Sequence, residues 1–425
     1  MRAVGIPGRC RPPLFLAFPL ALTSVFALCG LLGGCSSPGY FYQAARGQLA
    51  LLAHGRPVEG LLAAPDTSAD LKGQLATASA LRRYASEHLG LPDNDSYRRY
   101  VDLGRSFVVK SVFVAPSLSL TPRRWCFPVA GCVSYRGYFD AEAAEAFAAS
   151  QRAAGYDVYV ASVPAYSTLG WFDDPLLNTF VHWPAGQLAE LMFHELAHQQ
   201  LYVAGDTVFN ESFATFVGVT GARQWLAAHG GEADRQRYET LERQRRAFTQ
   251  LVLEAKGQLE VLYQSDGSDA ARQRGKGEVL AALQARYQQL RDNQWQGRGL
   301  FDRWFARDLN NAKLAAFGAY RRYVDAFAVL FAQEDGHWPR FHQRVATLGA
   351  LPREARHRQL ETLEENWGEE RAGDGDAEAA AEKCPPLNAT EALWFEGWIA
   401  RDGLALYTLA GVTPAPQRRL LWRNR

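Results

Sequence analysis

Two of the nine histidines, His194 and His198, stand four residues apart in Phe193-His194-Glu195-Leu196-Ala197-His198-Gln199. On an α-helix this spacing puts both rings on one face, one turn apart. Two imidazoles so placed can bind a single metal ion at roughly 2.0–2.1 Å each. Glu195 projects beside that ion, close enough to reach a water on it but not to serve as a ligand. The pattern H-E-x-x-H on a helix is a zinc-hydrolysis arrangement in which the glutamate acts as general base. Leu188, Leu191, Met192, Leu196 and Leu201 give the helix an apolar body. Two histidines and a glutamate on such a buried element would be costly without an ion to satisfy them.

A catalytic zinc takes three protein ligands and keeps one position open. The third is expected from a second helix shortly downstream, and Phe209-Asn210-Glu211-Ser212-Phe213-Ala214 supplies Glu211. Phe213, Phe216 and Val217 would pack that helix against the first. Asp206 is the rival ligand, although its turn position suits helix capping, and His182 lies before the first helix. One Zn2+ per chain is therefore expected on His194, His198 and Glu211.

These ligands need two helices at close quarters. Residues Ala185 to Val203 and Val208 to His229 are periodic enough to be those helices, and Gly205-Asp206-Thr207 between them carries helix-start chemistry. Upstream, helices are expected over Ser36–Leu62 and Leu71–His88. Strands are expected over Phe107–Ala115, Cys132–Phe139 and Asp157–Val163, which are rich in β-branched and aromatic residues. An alanine-rich helix over Ala141–Ala154 is inserted among them. From Glu232 to about Asn293 the chain is long, charged and helical, broken once at Ser265-Asp266-Gly267-Ser268-Asp269. That predicts an antiparallel helical hairpin, a solvated structural arm or a lid. Further helices run from about Phe301 to Phe331 and from Pro339 to Leu348. The acidic stretch of about 368–383 reads as a surface loop. The fold class is α+β and predominantly helical, with a small sheet and the long hairpin inserted.

The N-terminus sets the compartment. Arg2, Arg9 and Arg11 precede the nearly continuous apolar run Leu14–Leu32, and Leu32-Gly33-Gly34-Cys35 follows. A basic start, an apolar core and small residues at the cut make a secretory signal over residues 1–34, leaving 35–425 as the mature chain. The Leu-Gly-Gly-Cys ending resembles a bacterial lipobox, which implies lipidation of Cys35. Ser36 in the next position implies an outer-membrane anchor facing the periplasm. An uncleaved membrane span over the same apolar run is the alternative. In an oxidising compartment Cys126 and Cys132, with Pro128 and Gly131 between them, form a plausible local disulfide. Cys384 has no evident role. The net charge is +1 and no basic face is concentrated anywhere, so nucleic acid is not an expected partner.

Asn210-Glu211 followed by Phe213-Ala214 after H-E-x-x-H resembles the gluzincin peptidases, including zinc aminopeptidases with an Asn-Glu-Gly-Phe-Ala segment. Twelve residues separate His198 from Glu211, several fewer than in those enzymes, so the connection must be tighter. The whole chain resembles a bacterial family of lipoproteins labelled aminopeptidases. The matching stretches include Gly47-Gln48-Leu49, Gly131-Cys132-Val133-Ser134-Tyr135-Arg136-Gly137-Tyr138-Phe139, Tyr166-Ser167-Thr168-Leu169-Gly170-Trp171-Phe172, Gly205-Asp206-Thr207 and Asn310-Asn311-Ala312. The resemblance implies a zincin-like peptidase acting on a peptide or protein substrate. It also implies a Tyr or His that steadies the oxyanion, for which Tyr320 is the candidate and Tyr323 the competitor. In zincins a segment just before the zinc helix pairs with the substrate. Here that is Ser167–Asp174, and Asp173 or Asp174 could receive a free amino terminus; an ordinary turn is the alternative for Asp-Asp-Pro. The function expected is a membrane-anchored zinc aminopeptidase. A zinc endopeptidase of envelope proteins is the second reading, and a lipid-anchored binding or scaffold protein without catalysis is the third.

Overall fold

The structure, a computed structural model, describes residues 38–373 apart from 128–130, 166, 169, 308 and 318–321. The expected signal over 1–34, Cys35, Tyr320, Cys384 and residues 374–383 lie outside the described residues. The described residues fall into two units divided after Tyr42. The first holds only the opening of helix α1 (Pro38–His54); the sheets, the metal-ligand helices and the hairpin belong to the second, which starts at Gln43. No described helix is long and apolar enough to cross a membrane.

The single helix expected over 36–62 is split. After Gly55 the chain is extended at β1 (Arg56–Pro57) and resumes as α2 (Val58–Ala63). Pro57 lacks an N–H, and β1 is an edge strand, where that loss is tolerated. It pairs antiparallel with β2 (Arg99–Val101), which pairs in parallel with β8 (Leu176–Leu177) just ahead of the first ligand helix. Between them, α3 (Ala69–Glu87) starts at Ser68, whose hydroxyl accepts from the Leu71 N–H, and buries Leu75, Ala78, Leu81 and Ala85 at helical spacing.

The second sheet is antiparallel in the order β6-β3-β7, built from β3 (Val109–Ala115), β6 (Tyr135–Tyr138) and β7 (Asp157–Val163). Val112 faces Val160 on one side and Arg136 on the other. The strand expected over 132–139 is two strands, because the chain bends at Ser134. Its first part, β5 (Gly131–Val133), pairs with β4 (Trp125–Phe127) and sets Cys126 opposite Cys132, which are disulfide-bonded. Helix α4 (Ala141–Ala153) is capped by Asp140 and packs on this sheet.

The ligand helices are α5 (Ala185–Gln200) and α6 (Thr207–His229). The hairpin is α7 (Glu232–Gln264) and α8 (Asp269–Gln294). Among the described residues, the helical stretch expected over 301–331 comes in three short pieces, α9 (Asp302–Phe305), α10 (Asn311–Ala315) and α11 (Val324–Gln333). Then follow α12 (Trp338–Gly349) and α13 (Arg353–Gly373). Residues 368–373 of the expected acidic loop are thus helical, as a continuation of the helix from Arg353.

The hairpin is packed along its length on the rest of the second unit. Tyr238, Leu241, Arg245, Phe248, Val252, Ala255 and Leu259 bury one face of α7. Phe248 stacks on Phe301 at 3.6 Å between ring centroids. The Lys276 ammonium of α8 pairs with Asp157 at 2.6 Å and donates to the Ser117 carbonyl. Asn311 donates its backbone N–H to Asp157 and its amide to the Pro116 and Ser117 carbonyls, while accepting from the Tyr263 hydroxyl. Asn310 caps α10 and donates to the Val158 carbonyl. Asn311 thus fastens α7 to the end of the sheet through Tyr263, and Lys276 fastens α8 there through Asp157 and Ser117.

Candidate metal centre

Every residue of α5 from Gly186 to His198 is buried. Helix α6 lies directly on it because glycines line the crossing. A Cβ on Gly218 would fall 2.7 Å from the Glu190 carbonyl oxygen and 3.2 Å from the His194 Cβ; one on Gly221 would meet Phe193, and one on Gly186 would meet Leu226 and Tyr238. The link between the helices is short and fastened by Asn210. Its amide oxygen accepts from the Val203 N–H at 2.8 Å, and its amide nitrogen donates to the Val203 carbonyl at 2.8 Å. The Asp206 carboxylate accepts from the Phe209 N–H and caps α6. These bonds explain how Glu211 can follow His198 after only twelve residues.

The three expected ligands converge. The His194 and His198 Nε2 atoms lie 3.2 Å apart. The Glu211 Oε2 atom is 3.3 Å from the first and 3.5 Å from the second. All three side chains are buried, and among the described residues they are the one group of three His, Cys, Asp or Glu ligands gathered this closely. A tetrahedron whose corners lie 2.0–2.1 Å from its centre has edges of about 3.3 Å. The observed separations match that edge, so the donor set fits a small divalent ion with its fourth corner open. Burial opposes ionisation of Glu211, but His198 and His194 outweigh it and hold the carboxyl at about 2. It is therefore an anionic ligand at neutral pH. Glu195 is fully buried beside His194 and is not part of the ligand group.

Asp206 does not join the ligands. Its Oδ2 accepts from Arg356 Nε at 2.9 Å and Nη2 at 2.7 Å, and from His357 Nε2 at 2.8 Å. His182 sits against the Asn178 carbonyl. Asp174 is turned inward. It accepts from the Ser167 hydroxyl at 2.9 Å and the Thr168 hydroxyl at 2.8 Å, and from the Thr168 N–H at 3.1 Å. Gln199, next to His198, reaches it at 3.4 Å. Burial pushes its carboxyl up to about 6, against the hydrogen bonds from Thr168 and Ser167. Asp174 thus pins the 167–174 loop to the ligand helix. Asp173 is exposed and lines a cleft of about 630 Å³ with Glu87, Asp93, Arg82 and Arg98, whose walls hold none of the three ligands. Tyr323 donates its hydroxyl to Glu361 and its backbone N–H to the Ser212 hydroxyl.

One group escaped the sequence reading. Glu190, one turn before His194, is 1 % exposed. It accepts from Arg245 at 2.8 and 3.0 Å and from the Tyr238 hydroxyl at 2.8 Å. Arg245 also pairs with buried Glu242 at 2.6 Å. A carboxylate in the middle of an apolar helix body is the signal that could have called for a cation from elsewhere.

A family model described as "Putative aminopeptidase" matches residues 39–360. No curated protein and no solved structure matches the chain.

Proposed function

Because the chain belongs to the family of putative aminopeptidases, we propose that it is a zinc aminopeptidase held at a bacterial membrane by lipid on Cys35. The observation that carries the metal chemistry is the meeting of His194, His198 and Glu211 at the edge length of a tetrahedral site. Zinc bound there would supply a Lewis acid that lowers the pKa of a water and polarises the scissile carbonyl. His194 and His198 hold their Nε2 atoms toward the ion, and Glu211 brings the negative charge. Glu195, on the same helix, takes a proton from the attacking water and passes it to the nitrogen of the leaving amine. Tyr320 is the proposed donor to the oxyanion. The buried surroundings of Glu195 exclude bulk water and strengthen each of these electrostatic contacts.

The anchor proposal rests on the basic, apolar and small-residue order of residues 1–35 and places the substrates among envelope peptides or proteins. The test is a peptide-library digest by the purified chain, with and without a chelator, read by mass spectrometry beside a metal assay. Stepwise loss of N-terminal residues that stops on chelation is expected. Absence of stoichiometric zinc from active protein would refute the metal assignment. Asp174 is taken up by Ser167 and Thr168, and Asp173 lines a cleft whose walls hold none of the three ligands, so neither expected receptor for a free amino terminus is offered at the ligand group, which supports keeping endopeptidase as a second reading. Cleavage of an N-acetylated peptide would select it.

A further inference from the structure

We infer that Arg356 and His357, on α13, are positioning residues for the metal ligand Glu211. The inference rests on the metal-site reading above. Glu211 stands five residues after Asp206, at the start of a helix joined to α5 by a link of a few residues. A ligand oxygen must sit within about 0.2 Å of its place for a good metal bond, so rotation or slippage of that first turn would spoil the site. Helix α13 braces the turn on both sides of Glu211.

Upstream, Arg356 sends Nε and Nη2 to the Asp206 Oδ2, and its Nη1 donates to the Gly349 and Leu351 carbonyls. One guanidinium thus ties the end of α12 to the cap of α6. Its Cζ also sits 5.1 Å over the Phe209 ring. His357 directs Nε2 at both Asp206 oxygens, 2.8 and 3.0 Å away, so that nitrogen carries the proton. Downstream, the His357 ring packs against Tyr323 at 5.3 Å, and the Tyr323 N–H donates to the hydroxyl of Ser212, the neighbour of Glu211. Arg356 and Asp206 are 3 % and 0 % exposed, so water cannot replace either partner. No other described charged group pairs with Asp206 in the structure.

The test measures the Zn2+ dissociation constant of the full chain by competition with a chelating dye, alongside circular dichroism and thermal melting. Arg356→Met is expected to keep the parent spectrum and bind Zn2+ about tenfold or more weakly, the usual scale for outer contacts of metal ligands. Arg356→Lys, which restores one donor to Asp206, is expected to recover part of the loss. A purely structural role would lower the melting temperature and leave the Zn2+ affinity of the folded molecules at the parent value; that result overturns the inference. If Arg356→Met does not fold, His357→Gln at the less buried edge of the brace is judged by the same two outcomes. A parent chain that binds no Zn2+ would instead overturn the metal reading beneath the inference.

Discussion

Gly218→Ala tests whether the metal site depends on backbone contact between α5 and α6. A methyl at this position would lie 2.7 Å from the Glu190 carbonyl oxygen and 3.2 Å from the His194 Cβ. The closest comfortable C–H···O separation is about 3.3 Å, so the helices must part by roughly 0.6 Å at the crossing. Neither obstacle is the end of a flexible side chain, so neither can swing away. Alanine in place of a helical glycine gains up to about 1 kcal/mol of propensity, whereas overpacking costs about 1–3 kcal/mol. The net loss of stability is therefore small, at most about 2 kcal/mol. The ligand geometry has no such compensation. Glu211 lies two turns from Gly218 on the same helix, and a displacement of half an ångström exceeds the tolerance of a metal bond. The expected variant is folded, slightly less stable in urea, and at least tenfold weaker in Zn2+ binding. Gly221→Ala is the control, because its added methyl meets the Leu89 and Phe193 side chains and not a backbone atom. It should lose stability without losing Zn2+. A Gly218→Ala protein that binds Zn2+ within threefold of the parent would refute the claim that this close approach sets the site.

Glu195→Gln should keep zinc and lose at least about 100-fold in kcat, as expected for removal of a general base, whereas His194→Ala should lose both; near-parent turnover by Glu195→Gln would remove it from the mechanism. Arg245→Met leaves the buried Glu190 and Glu242 carboxylates without their cation and should cost about 3–5 kcal/mol in urea unfolding, part of which returns when Glu190→Gln is added. His342 donates Nε2–H to the Leu89 carbonyl at 2.8 Å while its buried Nδ1 has no hydrogen-bond partner among the described residues, and burial lowers its pKa from the ordinary 6.5. The folded state therefore prefers the neutral ring, so the His342 contribution is whole above about pH 6.5 and is lost below it, by up to about 1.4 kcal/mol per pH unit until the folded pKa is reached. His342→Gln, which keeps a donor for Leu89, should flatten that part of the stability profile between pH 7.5 and 5; parallel profiles would exclude the assignment. The opposite contribution of Asp174, stabilising as pH falls through about 6, is common to both proteins and cancels in the comparison.

What was legible in the sequence is what local geometry decides. The i, i+4 spacing of His194 and His198 fixes their shared face wherever the helix lies. Asp157–Val163 was read to the residue because its pattern belongs to the strand alone. The cap at Asp206 acts within three residues of itself. Glu211 was reachable because the next helix had to return to the first. The unread parts depend on partners far along the chain. Asp174 could be read as a receptor for a free amino terminus or as part of an ordinary turn, but Ser96, Thr168 and Gln199 enclose it from three segments. Asp206 looked like a rival ligand until Arg356, 150 residues away, was found on it. The split of the first helix at Gly55 depends on the pairing of Arg56 with Tyr100, which no local pattern announces.

These distant contacts share a physical logic centred on α5. A helix buried all round cannot leave a polar group on it unanswered, since each would cost on the order of 1–3 kcal/mol or more if charged. Three sets of polar side chains on α5 are answered by different regions: Glu190 by Arg245 and Tyr238 of α7, Gln199 by Asn94 and Ser96 of the loop after α3, and His194 and His198 by Glu211 of α6. The helix can neither rotate nor slide without breaking all three sets together. Its two imidazoles are therefore held in one orientation before any ion arrives. The brace on α6 from α13 does the same for the third ligand. A site preorganised in this way would lose little freedom on binding a metal ion, and the hairpin and α13, which carry none of the three ligands, help to set its geometry.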